Sequence, residues 1–201
     1  RFNSVFSNFT IEKATVTVSG ITANDKVYNG SDGATLDTSS AVLSGMASGD
    51  VGKITVTASG KFADVNVGTG KEVLISGITL GAINGEESLL NNYRLADTGN
   101  QTETTAAITP KTITPSVSVS GTYTYNGSAI VPEVIVWDND SNRVLSADDY
   151  TLSFSDNVNA GTEATVTITK KNGSNYDFNE TSAKFTINPA PVTVKANDIR
   201  K

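Results

Sequence analysis

Apolar and polar residues alternate with period two along most of the chain. Ala14, Val16 and Val18 fall on one side and Thr15 and Thr17 on the other. The same alternation groups Ile54, Val56 and Ala58, then Val117 with Val119, then Tyr150, Leu152 and Phe154. It returns at Ala164, Val166 and Ile168, and again at Ala183, Phe185 and Ile187. Successive side chains of a strand point to opposite faces, so this period predicts strands with one buried and one wet face. The wet positions are mainly Thr and Ser, which suit a pleated, half-exposed surface. Sheets of that kind are commonly antiparallel. Asn-Gly pairs at 29–30, 84–85, 126–127 and 172–173 mark tight turns in which both residues accept positive φ. The one helix candidate, Glu86 to Asn92, is shorter than the roughly 12 residues at which an isolated helix becomes marginal.

The chain also repeats itself. Tyr28-Asn29-Gly30-Ser31 returns as Tyr125-Asn126-Gly127-Ser128. Phe62 with Asp64 and the following Gly-Thr is answered by Phe154 with Asp156 and its Gly-Thr. Asn92-Tyr93 is answered by Asn175-Tyr176, and Ile108-Thr109-Pro110 by Ile187-Asn188-Pro189. Four words in the same order define a domain-sized repeat, too long for a solenoid unit. The expected organisation is an upstream remnant at 1–11, a first domain at 12–109, a second at 110–188 and the start of a third repeat at 189–201. Pro191 to Ala196 resembles Lys13 to Val18 and reads as a first strand without its domain. Proline at the junctions ends a strand and stiffens the link. Six or seven short strands per unit predict an all-β fold of two tandem antiparallel β-sandwich domains. A β-grasp-like roll is the alternative for the first.

Composition narrows the function. Only 18% of the 201 residues are charged, and the net charge is −6. An acidic surface lacks the positive footprint that nucleic acid or anionic lipid requires. No apolar run approaches the ~20 residues of a membrane helix, so no direct membrane insertion is expected. Residues 1–13 lack the apolar stretch of a signal peptide, as expected of a segment from a longer protein. Absence of Cys fits a bacterial chain better than a disulfide-dense extracellular eukaryotic module. Absence of His removes the commonest general base and metal ligand. No nucleophile elbow is present, and the carboxylate pairs Glu86-Glu87 and Asp148-Asp149 sit beside turns, so no enzyme activity and no cofactor is expected.

Three sets of residues remain as candidates. Asp138, Asp140 and Asn142 place oxygens at alternate positions, with Asp149 where a calcium loop would end. Arg143 stands where such a loop would need Gly, and a polar hairpin turn is the competing reading. Tyr123, Tyr125 and Trp137 could stack on a glycan or pack on the core and rim of the second unit. Lys13 with Asn92 or Asn175 could form an isopeptide crosslink, given a buried acid beside them.

The stretch from Lys13 to Leu36, followed by Ser48 to Leu80, resembles the YDG-type repeats of large bacterial surface proteins, with Asn29 in place of the Asp of the motif. The stretch from Tyr123 to Ile168 is similar to the bacterial immunoglobulin-like repeats of surface proteins and secreted multimodular enzymes. The proline junctions are similar to those of tandem arrays, including ones carrying MBG-type domains. The resemblance implies Ig-like domains in a non-catalytic extracellular stalk or spacer of an adhesin, at the bacterial cell surface or secreted; short polar strand edges are expected to keep the chain monomeric. Its alternatives are a module binding host glycan or matrix protein directly, and an ancillary domain of a secreted carbohydrate-active enzyme.

Overall fold

The computed structural model describes residues 8–196 as an all-β chain of nineteen strands. Two short 3-10 turns, Ser48–Asp50 and Glu87–Asn91, interrupt them, and there is no α-helix among the described residues. The second turn falls on the one segment with helical composition. Residues 1–7 of the upstream remnant and 197–201 of the third-repeat start lie outside the described residues. The chain divides into two compact units, Arg1–Thr109 and Pro110–Lys201.

In the first unit a five-stranded sheet runs in the order Lys26–Val27, Glu103–Thr109, Gly68–Ala82, Ile54–Phe62, Gly33–Ala34. A three-stranded sheet runs Val42–Ser44, Ala14–Ser19, Tyr93–Leu95, and a short ladder joins Thr22–Ala23 to Leu36–Asp37. Val18 of the smaller sheet packs with Val56 and Ile75 of the larger, so the core sits between them. Val16 joins Ile54 and Tyr93 in a neighbouring cluster. A further cluster gathers Phe62, Val73, Ala106 and Ile108. The second unit has a four-stranded sheet, Tyr123–Thr124, Thr181–Asn188, Gly161–Lys170, Tyr150–Ser155. Its three-stranded sheet runs Pro115–Ser120, Glu133–Asp138, Arg143–Val144, and Lys111–Thr112 pairs with Tyr176–Asp177. Ala164, Phe185 and Ile187 form its core with Val119 and Phe154.

The repeated words occupy equivalent places. Tyr28 N donates to Thr109 O at 2.8 Å, and Tyr125 N donates to Asn188 O at 2.8 Å. Ala14 N donates to Asn92 O at 2.8 Å, and Lys111 N donates to Asn175 O at 3.0 Å. Tyr93 and Tyr176 are both buried. The Asn-Gly-Ser turns match as well: Asn29 Oδ1 accepts from Ser31 N at 3.0 Å and Asn126 Oδ1 from Ser128 N at 2.9 Å.

Three expectations need correction. The sheets are mixed: Ala14–Val16 runs parallel to Tyr93–Leu95, Lys26–Val27 to Ile108–Thr109, Lys111–Thr112 to Tyr176–Asp177, and Tyr123–Thr124 to Ile187–Asn188. Each unit thus pairs its opening segments with its closing ones, which antiparallel hairpins alone cannot do. In the Asn-Gly turns only the glycines take positive φ, at 74°, 90°, 81° and 79°. In the two Ser-containing words the Asn side chain closes an Asx turn, so the Asn backbone need not enter the left-handed region. Leu152 also departs from its predicted face and is 40% exposed, because its strand lies at the sheet edge with a neighbour on one side only.

Nothing in the periodicity singles out Asn100 and Gln101, yet both knit the first unit. Gln101 Oε1 accepts from Ile21 N at 2.8 Å, and its Nε2 donates to Ile21 O at 2.7 Å and Glu103 O at 2.9 Å. Asn100 Oδ1 accepts from Val18 N at 3.0 Å. These side chains stand in for a missing strand neighbour. Gln101→Ala strands the Ile21 amide and carbonyl beside a fully buried side chain and should cost about 1–3 kcal/mol. Far-ultraviolet dichroism in a urea titration should show the first unit melting earlier, while the fluorescence transition of Trp137, in the second unit, stays in place.

Candidate functional site

Among the described residues Asp138 is the one carboxylate with no exposed surface. Strand Glu133–Asp138 delivers it, and the chain reverses through 139–142 into Arg143–Val144, with Asn142 in the left-handed region at φ 52°. Lys111 Nζ donates to Asp138 Oδ2 at 2.6 Å, Ser141 Oγ donates to the same oxygen, and Asp140 N donates to Oδ1 at 3.0 Å. Burial pushes this carboxyl up, but the bonds from Lys111, Ser141 and the Asp140 amide outweigh it and hold the group below the usual carboxylate range. The neighbouring side chain ties the same hairpin to the opening strand: Asn139 Nδ2 donates to Thr114 O at 3.1 Å, and Asn139 Oδ1 accepts from Ser116 Oγ at 2.8 Å.

This arrangement uses the carboxylate oxygens of Asp138 for structure. Both oxygens of Asp138 already accept hydrogen bonds, and Asp140 and Asn142 point into an exposed turn. Asp149 is engaged elsewhere, taking Ser174 Oγ at 3.1 Å and Asn175 N at 2.9 Å. Among the described residues no group of three or more His, Cys, Asp or Glu could hold a metal ion.

The aromatic candidates are not assembled into one platform. Tyr123 lies in the four-stranded sheet, edge-on to Phe185 at 5.6 Å between centroids, with its hydroxyl donated to Ser120 O. Tyr125, two residues on, is 41% exposed. Trp137 belongs to the other sheet, opposite Ser116 and Val144, and is half-buried. Lys13, the candidate crosslink donor, is exposed and donates to Leu90 O at 3.3 Å. None of the described acids of the first unit is buried, so the acid such a crosslink needs is not beside it. Of the carboxylate pairs, Glu86 faces Lys53 at 3.7 Å and Glu87 accepts from Gly85 N at 3.2 Å.

Sequence reasoning missed one concavity. In the first unit a groove of about 420 Å³ is lined by Ala41, Val42, Leu43, Met46, Val51 and Ile54 among others, with no charged side chain. Its loop wall is fixed by Tyr93 Oη, which donates to Asp50 Oδ2 at 2.6 Å and accepts from Ala47 N at 3.1 Å. The Asp50 carboxylate raises the Tyr93 pKa. The repeated Asn-Tyr word was the available signal.

The Lys111–Asp138 pair gives two expectations. Lys111→Met should destabilise the second unit at neutral pH by about 2–4 kcal/mol, under the usual loss for a broken buried pair because Lys111 keeps part of its solvent. Because the folded Asp138 pKa is lowered, its contribution is complete above the ordinary carboxylate range and is lost as pH falls through the folded value. In Lys111→Met, burial is opposed by fewer bonds, so acid destabilisation should begin at higher pH. Urea titrations followed by Trp137 fluorescence between neutral and acid pH measure both.

Three comparisons with known proteins bear on the chain. No curated protein matches it, and no solved structure does. The family model described as "YDG domain" matches residues 12–102, so the first unit, over nearly its whole length, is similar to a YDG domain.

Proposed function

We propose that the chain is a non-catalytic extracellular module of a large bacterial surface protein, where it acts as a stalk or spacer in an adhesin. The observation that carries this reading is the duplication of one strand plan in two consecutive compact units, down to the same backbone bonds at Tyr28 and Tyr125. The YDG-domain match over residues 12–102 supports it. So do a Thr- and Ser-rich outer surface with few charges, and polar groups spent on internal ties. On this reading both units are Ig-like sandwich beads, the residues after Pro189 open a third repeat, and the module is monomeric. Strands of about ten residues laid lengthwise would give each bead roughly 35 Å of reach.

A second reading, direct binding of host glycan or matrix protein, rests on the exposure of Tyr125 and the half-exposure of Trp137. Fluorescent chain applied to arrays of glycans and matrix proteins separates the two. The spacer reading expects no saturable signal on either. Saturable binding that disappears in Tyr125→Ala or Trp137→Ala would replace it with the second.

A further inference from the structure

The strand plan carries a consequence for mechanics. Two parallel strands have their N-terminal ends together. If the chain enters or leaves by one of them while the other is held within the fold, pulling the chain ends draws that strand past its partner along the ladder. All the bonds of the ladder are then loaded at once. An antiparallel hairpin pulled at its open end releases its bonds one after another.

Each unit has two such parallel ladders, one near its entry and one at its exit. In the second unit, entry is at Lys111, where Lys111 N donates to Asn175 O and Ile113 N to Asp177 O, both at 3.0 Å. The Lys111 side chain adds its bond to the buried Asp138 at the same residue. Exit is through Thr181–Asn188, held parallel to Tyr123–Thr124 and closed by Tyr125 N donating to Asn188 O. The exit strand is also bonded along its other edge to Gly161–Lys170. The first unit repeats the scheme: Ala14–Val16 against Tyr93–Leu95 at entry, and Ile108–Thr109 against Lys26–Val27 at exit. Three of the four repeated words, Tyr-Asn-Gly-Ser, Asn-Tyr and Ile-Thr/Asn-Pro, sit at these ladders.

We propose that each unit bears tension along the chain through these paired parallel ladders, which act as shear clamps, with the Lys111–Asp138 pair reinforcing the entry clamp of the second unit. The proposal builds on the stalk reading and gives the stalk a load-bearing function.

Single-molecule pulling tests it on the whole chain. The chain has no Cys, so introduced thiols give unique handles. One version is held by its two ends. Another carries Asp148→Cys and Asn172→Cys, which flank the open end of the hairpin Tyr150–Ser155/Gly161–Lys170, where Lys171 N donates to Asp149 O. Both versions must first give the parent dichroism spectrum. The clamp predicts that unfolding through the ends needs several-fold more force than peeling through 148 and 172. It also predicts that Lys111→Met lowers the end-to-end force of one of the two unfolding events and leaves the other. Equal forces in the two directions, or an end-to-end force below the peeling force, would overturn it. That result would leave the spacer reading intact, whereas glycan binding on the array would remove the spacer reading and leave the directional forces unchanged.

Discussion

Parallel strands cannot be joined by a tight turn, so a chain that makes such a pair must travel before it returns. In both units that constraint sets the rest. The opening segment waits as half of a ladder until Tyr93 or Tyr176 arrives beside it, some 60 to 80 residues later. The excursion between is spent on antiparallel hairpins, the longest being Ile54–Phe62 with Gly68–Ala82 and Tyr150–Ser155 with Gly161–Lys170. Hairpins close locally and fold readily; the parallel ladders close over long loops and carry the larger entropic cost. The hydrophobic clusters supply the compensation. Val16 and Val18 are fully buried on the entry strand of the first unit, and Ile187 is 1% exposed on the exit strand of the second. Val194, which the resemblance of Pro191–Ala196 to Lys13–Val18 sets against Val16, is 88% exposed and lies in no ladder.

Charge is used sparingly and locally. Most ion pairs, such as Lys61 with Asp32 and Lys71 with Asp64, have at least one exposed partner and contribute little. Lys111–Asp138 differs because the carboxylate is wholly buried and fully hydrogen-bonded. An ion pair of that kind costs desolvation that its attraction roughly offsets, so its value lies in geometry more than in net stability. It fixes the first residue after Pro110 to the hairpin at 139–142, and so determines where the second unit begins.

Much of this was legible in the letters, and the remainder was not for physical reasons. Period two marked the strands, including Ala164, Val166 and Ile168, all buried. The repeated words located equivalent backbone positions. The direction of pairing was invisible, because alternation reports which face is buried and says nothing about the neighbour across the ladder. Leu152 satisfied the pattern yet ended exposed, since an edge strand lacks a second neighbour to cover it. Asp138, Asp140 and Asn142 could be read as cation ligands or as a polar turn because ligand oxygens and turn acceptors are the same chemistry; the approach of Lys111 to Asp138 from 27 residues away could not be read from the letters. Gln101 carried no pattern at all, since one amide side chain replacing a strand has no period.

The two units show which parts of the plan are fixed. Two residues before the Tyr-Asn-Gly-Ser word, the first unit has Lys26 and the second Tyr123. Lys26 Nζ reaches Asn29 Oδ1, Ser31 O and Gly33 O at 3.2, 2.6 and 2.9 Å and lies 5.2 Å from the centre of the Phe62 ring. Tyr123 instead packs edge-on to Phe185 and gives its hydroxyl to Ser120 O. One unit steadies its exit ladder with a cation over an aromatic ring and a set of carbonyls, the other with an aromatic pair. The backbone bonds from Tyr28 to Thr109 and from Tyr125 to Asn188 are the same length in both. Two different side-chain solutions around one unchanged backbone contact indicate that the contact, and the parallel path it closes, is what the repeated sequence preserves.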